Sequence, residues 1–284
     1  MWLKCRPRPR HRLRGIKLSY EEVILERQGH IGILTLNRPD VLNALNKNLQ
    51  TETRAVCSEI EADDNIRALI VTGSGRGFCA GADLTGGIDS EEPEVPDQNR
   101  RLDEFGWVGQ QAVSFYRMTK PTIAAVNGIA VGAGMSMALA CDLRIGSELT
   151  RFKTTFLERS LSPDSGMSFF LPRILGYSRA MDLILTSRMI DSTEAYQLGL
   201  LNRLTSSSAN LLDEAVAFAE EITRWPPMAV RSAKRVTQRN LHVELEQALI
   251  NETSGLSFAQ RAPHDVAESR RSWEEKRAPE FTGL

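Results

Sequence analysis

Residues 124–142, Ala-Ala-Val-Asn-Gly-Ile-Ala-Val-Gly-Ala-Gly-Met-Ser-Met-Ala-Leu-Ala-Cys-Asp, constrain the chain most. They read as a buried strand, a glycine-loosened turn and the start of an apolar helix near Ala133. Gly128, Gly132 and Gly134 carry no side chain, so backbone there can pass close to backbone or ligand. A helix that opens at such a turn leaves unpaired N–H groups at its positive end. That end suits a developing oxyanion. A second glycine-rich turn, Gly-Ser-Gly-Arg-Gly-Phe-Cys-Ala-Gly-Ala-Asp at 73–83, follows another apolar strand and could supply a second N–H.

Bulk composition narrows the class. At 284 residues the chain can bury a large core, and 42% hydrophobic with 25% charged residues is ordinary for a soluble globular protein. A formal net charge of −1 argues against a general nucleic-acid binder. No apolar run is long enough to span a bilayer. Cys5, Cys57, Cys79 and Cys141 are scattered without paired or metal-like spacing, which fits a reducing, cytoplasmic setting and predicts no metal. Residues 1–19 stand apart: Lys4, Arg6, Arg8, Arg10, Arg12, Arg14 and Lys17 precede any acid. An Arg-rich leader is one mark of a mitochondrial transit peptide. Pro7 and Pro9 break the required helix, so a disordered basic extension or an upstream start fits equally.

Residues 23–25 and 31–36 predict a strand pair about Gln28-Gly29, and 44–60 a helix with Leu45, Leu49, Val56 and Ile60 on one side. Residues 68–71 and 121–126 read as buried strands, and 102–118 as a helix between them. Residues 84–100, with two glycines, two prolines and five acids, predict either a solvated acidic loop or a lid. Asp191-Ser-Thr-Glu194 predicts a capped helix ended by Gly199. Beyond Asn210 only helices follow, at 215–225, 228–239, 243–260 and 266–276. Strand, turn and helix alternate before that point, which is the pattern of an α/β fold.

Further stretches join the two turns: Thr-Leu-Asn-Arg-Pro-Asp-Val-Leu-Asn-Ala-Leu-Asn at 35–46, Phe-Cys-Ala-Gly-Ala-Asp-Leu at 78–84, residues 187–203, and Trp-Glu-Glu-Lys-Arg-Ala-Pro-Glu-Phe at 273–281. In this order, over residues 20–281, they resemble the crotonase (enoyl-CoA hydratase/isomerase) superfamily. The resemblance implies a crotonase-like (ClpP/crotonase) α/β spiral of β-β-α units with an α-helical C-terminal region. It implies a core over 20–208, a helical trimerisation region over 209–284, and trimers or dimers of trimers. It also implies an acyl-CoA thioester as substrate, with coenzyme A entering only as part of it and no separate cofactor, in fatty acid metabolism.

By motif position the resemblance makes the N–H groups of Ala80 and Ala133 the oxyanion donors. Cys79, Gly81, Ala82, Asp83, Gly132, Ser136 and Phe156 would line the thioester, Asp83 chiefly by fixing its loop. Lys276 and Phe281 of the tail would meet coenzyme A. Family hydratases use two glutamates, and gap-free alignment puts Ser136 and Phe156 there. Neither is a base, and Glu158 is two residues out of register. Asp164, in Leu-Ser-Pro-Asp-Ser-Gly at 161–166, stands where isomerase branches carry a single proton-shuttling acid. The same Asp in such a turn could instead cap a helix. Ser136 as a nucleophile would need a histidine base, and His11, His30, His242 and His264 all lie far from it in sequence. The expectation is an enoyl-CoA isomerase. Hydration by an atypical site and a non-catalytic acyl-CoA-binding protein are the alternatives.

Overall fold

A computed structural model describes residues 20–85 and 98–284; the basic leader at 1–19 and most of the acidic segment at 84–100 lie outside the described residues. Val23–Gln28 (β1) and Ile31–Leu36 (β2) form the expected antiparallel hairpin about Gly29, whose φ is +55°. The first helix, Lys47–Ala62 (α1), starts three residues later than the apolar spacing predicts. The reason is local. Leu42 and Asn43 adopt left-handed backbone, Leu45 is drawn into a bridge with Ala82, and the Asn46 side chain then caps the Leu49 N–H at 2.7 Å.

Three strand pairs follow, each divided between two sheets: Ala68–Gly73 (β3) with Gly77–Cys79 (β4), then, after Gln98–Arg101 (α2) and Gly106–Tyr116 (α3), Thr122–Val126 (β5) with Ile129–Val131 (β6). Ala133–Ala140 (α4) leads to the third pair, Leu143–Gly146 (β7) with Arg151–Lys153 (β8). Then come Met167–Leu175 (α5), Tyr177–Thr186 (α6), Ile190–Asp191 (β9), Ser192–Gln197 (α7) and Arg203–Leu204 (β10). The first sheet runs β1-β2-β3-β5-β7-β10, parallel from β2 onward, and the second runs β4-β6-β8-β9. Successive turns of chain therefore add one strand to each sheet and a helix, which is the expected β-β-α spiral. Helix α3 begins later than expected because Asp103 accepts from Phe105 N–H and the Gln110 side chain, holding the chain in a turn before Gly106.

Strand alternation splits the core. Leu34, Leu36, Leu69, Val71, Ala124 and Val126 join α1, α3 and α4 on one face of the large sheet. Ile31, Ile33, Ala68, Ile70, Ile123, Ala125 and Ile145 face the other way, onto Leu211, Ala215, Phe218 and Ala219 of Leu211–Thr223 (α8). The first helix after residue 209 thus roofs the sheet core. The remaining helices are Pro227–Asn240 (α9), Leu245–Ala259 (α10) and Pro263–Glu275 (α11). Lys234 of α9 ties them to the core through Asp142 at 2.6 Å and the Lys120 carbonyl at 3.0 Å. The cap at Asp191 forms as expected, accepting from Glu194 N–H at 2.9 Å, and Gly199 turns at φ +82°. The Glu194 carboxylate itself goes to Arg188. Among the described residues no helix is long and apolar enough to cross a membrane.

The tail is fastened by buried acids. Asp265 accepts from Thr282 and Gly283 N–H groups. Glu268 accepts from Arg277, from Glu280 N–H and from Arg271, and these bonds hold its carboxyl far below the usual glutamate range. A carboxyl depressed in the folded state adds stability above its unfolded pKa of about 4.3, and that stability is lost as the pH falls through and below that range. Glu268→Gln should therefore lower the melting temperature at neutral pH. The difference from wild type should shrink steadily in melts carried down through about pH 4.

Candidate active site

Two glycine turns meet at the ends of β3 and β5. A Cβ built on Gly134 would lie 2.2 Å from the Cys79 carbonyl oxygen, and one on Gly128 would lie 2.1 Å from the Arg76 carbonyl. No L side chain fits in either gap. Backbone of the first turn lies directly on backbone of the second. Two asparagine amides hold the first turn: buried Asn43 ties it to the segment before α1 by donating to the Ser74 and Gly77 carbonyls, and partly buried Asn127 ties it to the second turn, accepting from Gly73 N–H and donating to the Gly75 carbonyl. Neither asparagine was singled out by sequence, although both lie inside the motifs quoted above. An Asn beside a glycine-rich turn is the signal that could have marked them.

The first oxyanion donor expected from the motif is corrected here. Ala80 N–H donates to the Leu42 carbonyl at 2.9 Å, so it is already taken. The following residues pair with Leu45: Leu45 N–H reaches the Gly81 carbonyl at 2.7 Å, and Asp83 N–H reaches the Leu45 carbonyl at 3.0 Å. In a parallel bridge the middle residue's own N–H points away from the partner strand. That residue is Ala82, and among the described residues its N–H has no acceptor. Gly81, at φ +92°, brings this loop against α4: a Cβ on it would lie 2.8 Å from the Val131 carbonyl and 3.7 Å from Ala133 N. Ala133 opens α4, so its N–H lacks an intrahelical partner. Ala82 and Ala133 thus present two free N–H groups from adjoining backbones.

Asp83 holds the loop as expected. Its carboxylate takes Thr85 Oγ1 at 2.7 Å, Thr85 N–H at 3.0 Å and Arg38 Nη1 at 2.9 Å, which keep its pKa below the usual carboxylate range. Cys79 is fully buried, and burial pushes its thiol up to about 12, which leaves it inert. Gly132, at φ +52°, donates to the Lys153 carbonyl and so sets the start of α4 beside the end of β8.

After β8 the chain carries Phe156 into the core and then loops through Ser160 to Gly166. Ser136 is fully buried on α4, and its Oγ lies 3.5 Å from the Asp164 carbonyl oxygen, so those two residues are brought together. Asp164 does not cap α5 with its side chain. Its main-chain carbonyl accepts Met167 N–H, Gly166 occupies the N-cap, and among the described residues only Ser165 Oγ, at 2.8 Å, reaches the carboxylate. Burial raises the Asp164 pKa above its ordinary value, against the smaller opposing pull of that hydroxyl. Glu158 is exposed and paired with Lys153 Nζ at 2.7 Å. Ser165 and Gly166 both take left-handed backbone, which makes the turn carrying Asp164 a tight, specified one.

The tail residues are not part of this constellation within one chain, a second correction. The Phe281 carbonyl accepts from Arg67, which precedes β3, at the end of that strand opposite Gly73. Lys276 is exposed beyond the end of α11. Both sit where Asp265 and Glu268 pin the tail.

Comparison with known proteins finds relatives across nearly the whole chain. The family profile described as enoyl-CoA hydratase/isomerase matches residues 26–284. The chain is 35% identical over 238 residues to the short-chain-enoyl-CoA hydratase of Clostridium acetobutylicum, covering 83% of this chain and 88% of the relative. It is 33% identical over 251 residues to the 1,2-epoxyphenylacetyl-CoA isomerase of Escherichia coli, covering 88% and 94%. The crystal structure of an enoyl-CoA hydratase/isomerase from Mycobacterium paratuberculosis superposes with a TM-score of 0.84 at 32% identity, over 94% of this chain and all of that one.

The backbone contact is open to a direct test. Gly134→Ala should force α4 off the Cys79 carbonyl, costing about 1–3 kcal/mol in a urea titration. Turnover should fall by about 10²–10³-fold, the effect of losing one oxyanion donor.

Proposed function

Because the chain belongs to the enoyl-CoA hydratase/isomerase family, we propose that it is an isomerase that moves the double bond of an enoyl-CoA thioester with Asp164 as sole proton carrier. The observation that carries this reading is the chemistry around Asp164. Ser136, beside Asp164, bears only a hydroxyl, Phe156 at the second glutamate position bears only a ring, and Glu158 is spent on Lys153. One half-buried carboxylate with a raised pKa is what remains. Hydration needs a water held and activated, and an apolar Phe156 opposes that.

The thioester oxygen would lie between the Ala82 and Ala133 N–H groups. Asp164, as carboxylate, takes a proton from C2 of a 3-enoyl thioester. The electron pair moves into the carbonyl as a dienolate, whose oxyanion each free N–H stabilises by about 3 kcal/mol. The protonated Asp164 then returns the proton to C4, and the double bond ends between C2 and C3. Base and acid are the same atom pair, so the carboxylate is regenerated each cycle. Self-association as trimers or dimers of trimers is supported by Leu245, Leu249, Ile250 and Leu256 of α10, which are exposed in the single chain.

Purified protein mixed with 3-enoyl-CoA should develop the ultraviolet absorbance of a conjugated enoyl thioester, and Asp164→Asn should slow this by about 10²–10⁴-fold. Loss of absorbance from 2-enoyl-CoA alone, by addition of water, would overturn the isomerase reading. The acid limb of kcat/KM should lie above the ordinary aspartate value of about 3.9. A carboxyl whose folded pKa is raised costs stability once the pH exceeds its unfolded value. Asp164→Asn should therefore melt higher than wild type at neutral pH, and the gain should vanish as the pH falls below about 4.

A further inference from the structure

A cavity of about 460 Å³ opens between the end of α3 and one face of α9. Tyr116 and Arg117 line it from one side, and Lys234, Arg235, Gln238 and Arg239 from the other. Four of its lining residues are basic and none is acidic. Its size falls in the range of about 300–1,000 Å³ usual for small-molecule sites. Thr119, also in the lining, leads into β5, and Gly128 follows the other end of that strand. About 13 Å of strand therefore separates this cavity from the glycine turns of the active site.

Hydrogen bonds fix the walls and leave the arginines over. Lys234 Nζ donates to Asp142 at 2.6 Å and to the Lys120 carbonyl at 3.0 Å, and Gln238 Nε2 donates to the Tyr116 carbonyl at 3.1 Å. These bonds occupy oxygens that would otherwise repel an anion. Glu61, bonded to the lining residue Thr119 through its N–H at 3.1 Å, also accepts from Arg231 at 3.2 Å. Among the described residues, Arg117, Arg235 and Arg239 form no ion pair. Two of them rest on aromatic faces instead: Arg117 lies 5.7 Å from the Phe105 ring centroid, and Arg235 4.9 Å from that of Phe258. A stacked guanidinium is held by its plane and keeps the N–H groups along its edge for an anion. Arg235 and Arg239 stand four residues apart on α9, a like-charge spacing that costs a helix stability. An anion between them turns that repulsion into attraction.

We propose that this cavity binds a phosphorylated small molecule, apart from the acyl-CoA site, with Arg117, Arg235 and Arg239 as the groups that hold its phosphate. Guanidinium forks bond phosphate oxygens in pairs, which gives geometric selection as well as charge. The cavity holds more than a bare phosphate, so the esterified group has a place beside Tyr116. That ring is itself braced edge-on by Phe169, at 5.7 Å between centroids.

Ribose 5-phosphate carries this chemistry without the adenosine of coenzyme A. It should be titrated by calorimetry into wild type, Arg235→Gln and Arg239→Gln at about 0.15 M salt, where long-range surface attraction is screened. Ribose and inorganic phosphate are the controls. Ribose 5-phosphate should bind wild type and ribose should not, and each substitution should weaken the ester about 10-fold, as for one charge-assisted hydrogen bond. Arg239→Gln should not lower the melting temperature of the free protein, because it relieves the repulsion with Arg235. Absence of binding to wild type, or binding that both variants keep at full strength, would overturn the proposal. Inorganic phosphate binding as tightly as the ester would assign the arginines to the free ion and overturn it as well. Competition by saturating hexanoyl-CoA would merge the cavity with the acyl-CoA site, and an altered sedimentation of Arg239→Gln would place it between copies of the chain. Either result rejects a separate phosphate-ester site, while the isomerase reading is judged on 3-enoyl-CoA alone.

Discussion

Everything in this molecule that bears on chemistry depends on one close approach, Gly134 against the Cys79 carbonyl. Two main chains from different turns of the spiral pass with no room for a methyl group between them. That contact aligns the start of α4 with the loop after β4, and so brings two N–H groups from distant residues to one spot. Main-chain donors need no particular side chain, so under the proposed reading alanines at 82 and 133 suffice. They do need the backbones held rigidly, because an oxyanion donor is effective only when its dipole is fixed before charge develops. The asparagine stitches at 43 and 127 and the Asp83–Arg38 pair provide that rigidity.

Among the described carboxylates around the site, the pKa shifts run in different directions. Asp83 is held ionised by Thr85 and Arg38, and the Glu158 carboxyl is drawn down by Lys153. The thiol of Cys79 stays protonated because nothing compensates its burial. Asp164 differs from all three. It is half-buried and, among the described residues, meets one hydroxyl and no cation, so burial raises its pKa above the ordinary aspartate value. The same burial that raises its pKa makes its ionised form a burden on the folded state at neutral pH.

Much of this was legible in the residue order. Short apolar runs gave β2, β3 and β5, and Asp191 with Gly199 marked both ends of a helix. Errors clustered where tertiary pairing overrode local preference. Residues 44–46 have helical spacing, yet Leu45 is drawn out of the helix to pair with Ala82. Residues 102–105 read as helix, yet an Asp103 turn delays it. In the loop after β4 the motif points to the N–H of Ala80, which the structure spends on Leu42, because a motif names residues and not which way their N–H groups face. Lys276 and Phe281 were read as site residues from a tail motif, whereas within one chain the tail is anchored at the other end of β3.

The sequence by itself determined the alternation of strand and helix, the two glycine turns, and the absence of glutamate at 136 and 156. These follow from side-chain volume, periodicity and chemical identity, which each residue carries wherever it sits. Only the tertiary structure decided that Ala80 N–H is spent on Leu42 while that of Ala82 has no acceptor among the described residues, and that the Asp164 side chain does not cap α5. A hydrogen bond joins two atoms, and which atom is left over depends on how segments far apart in the chain are folded onto one another.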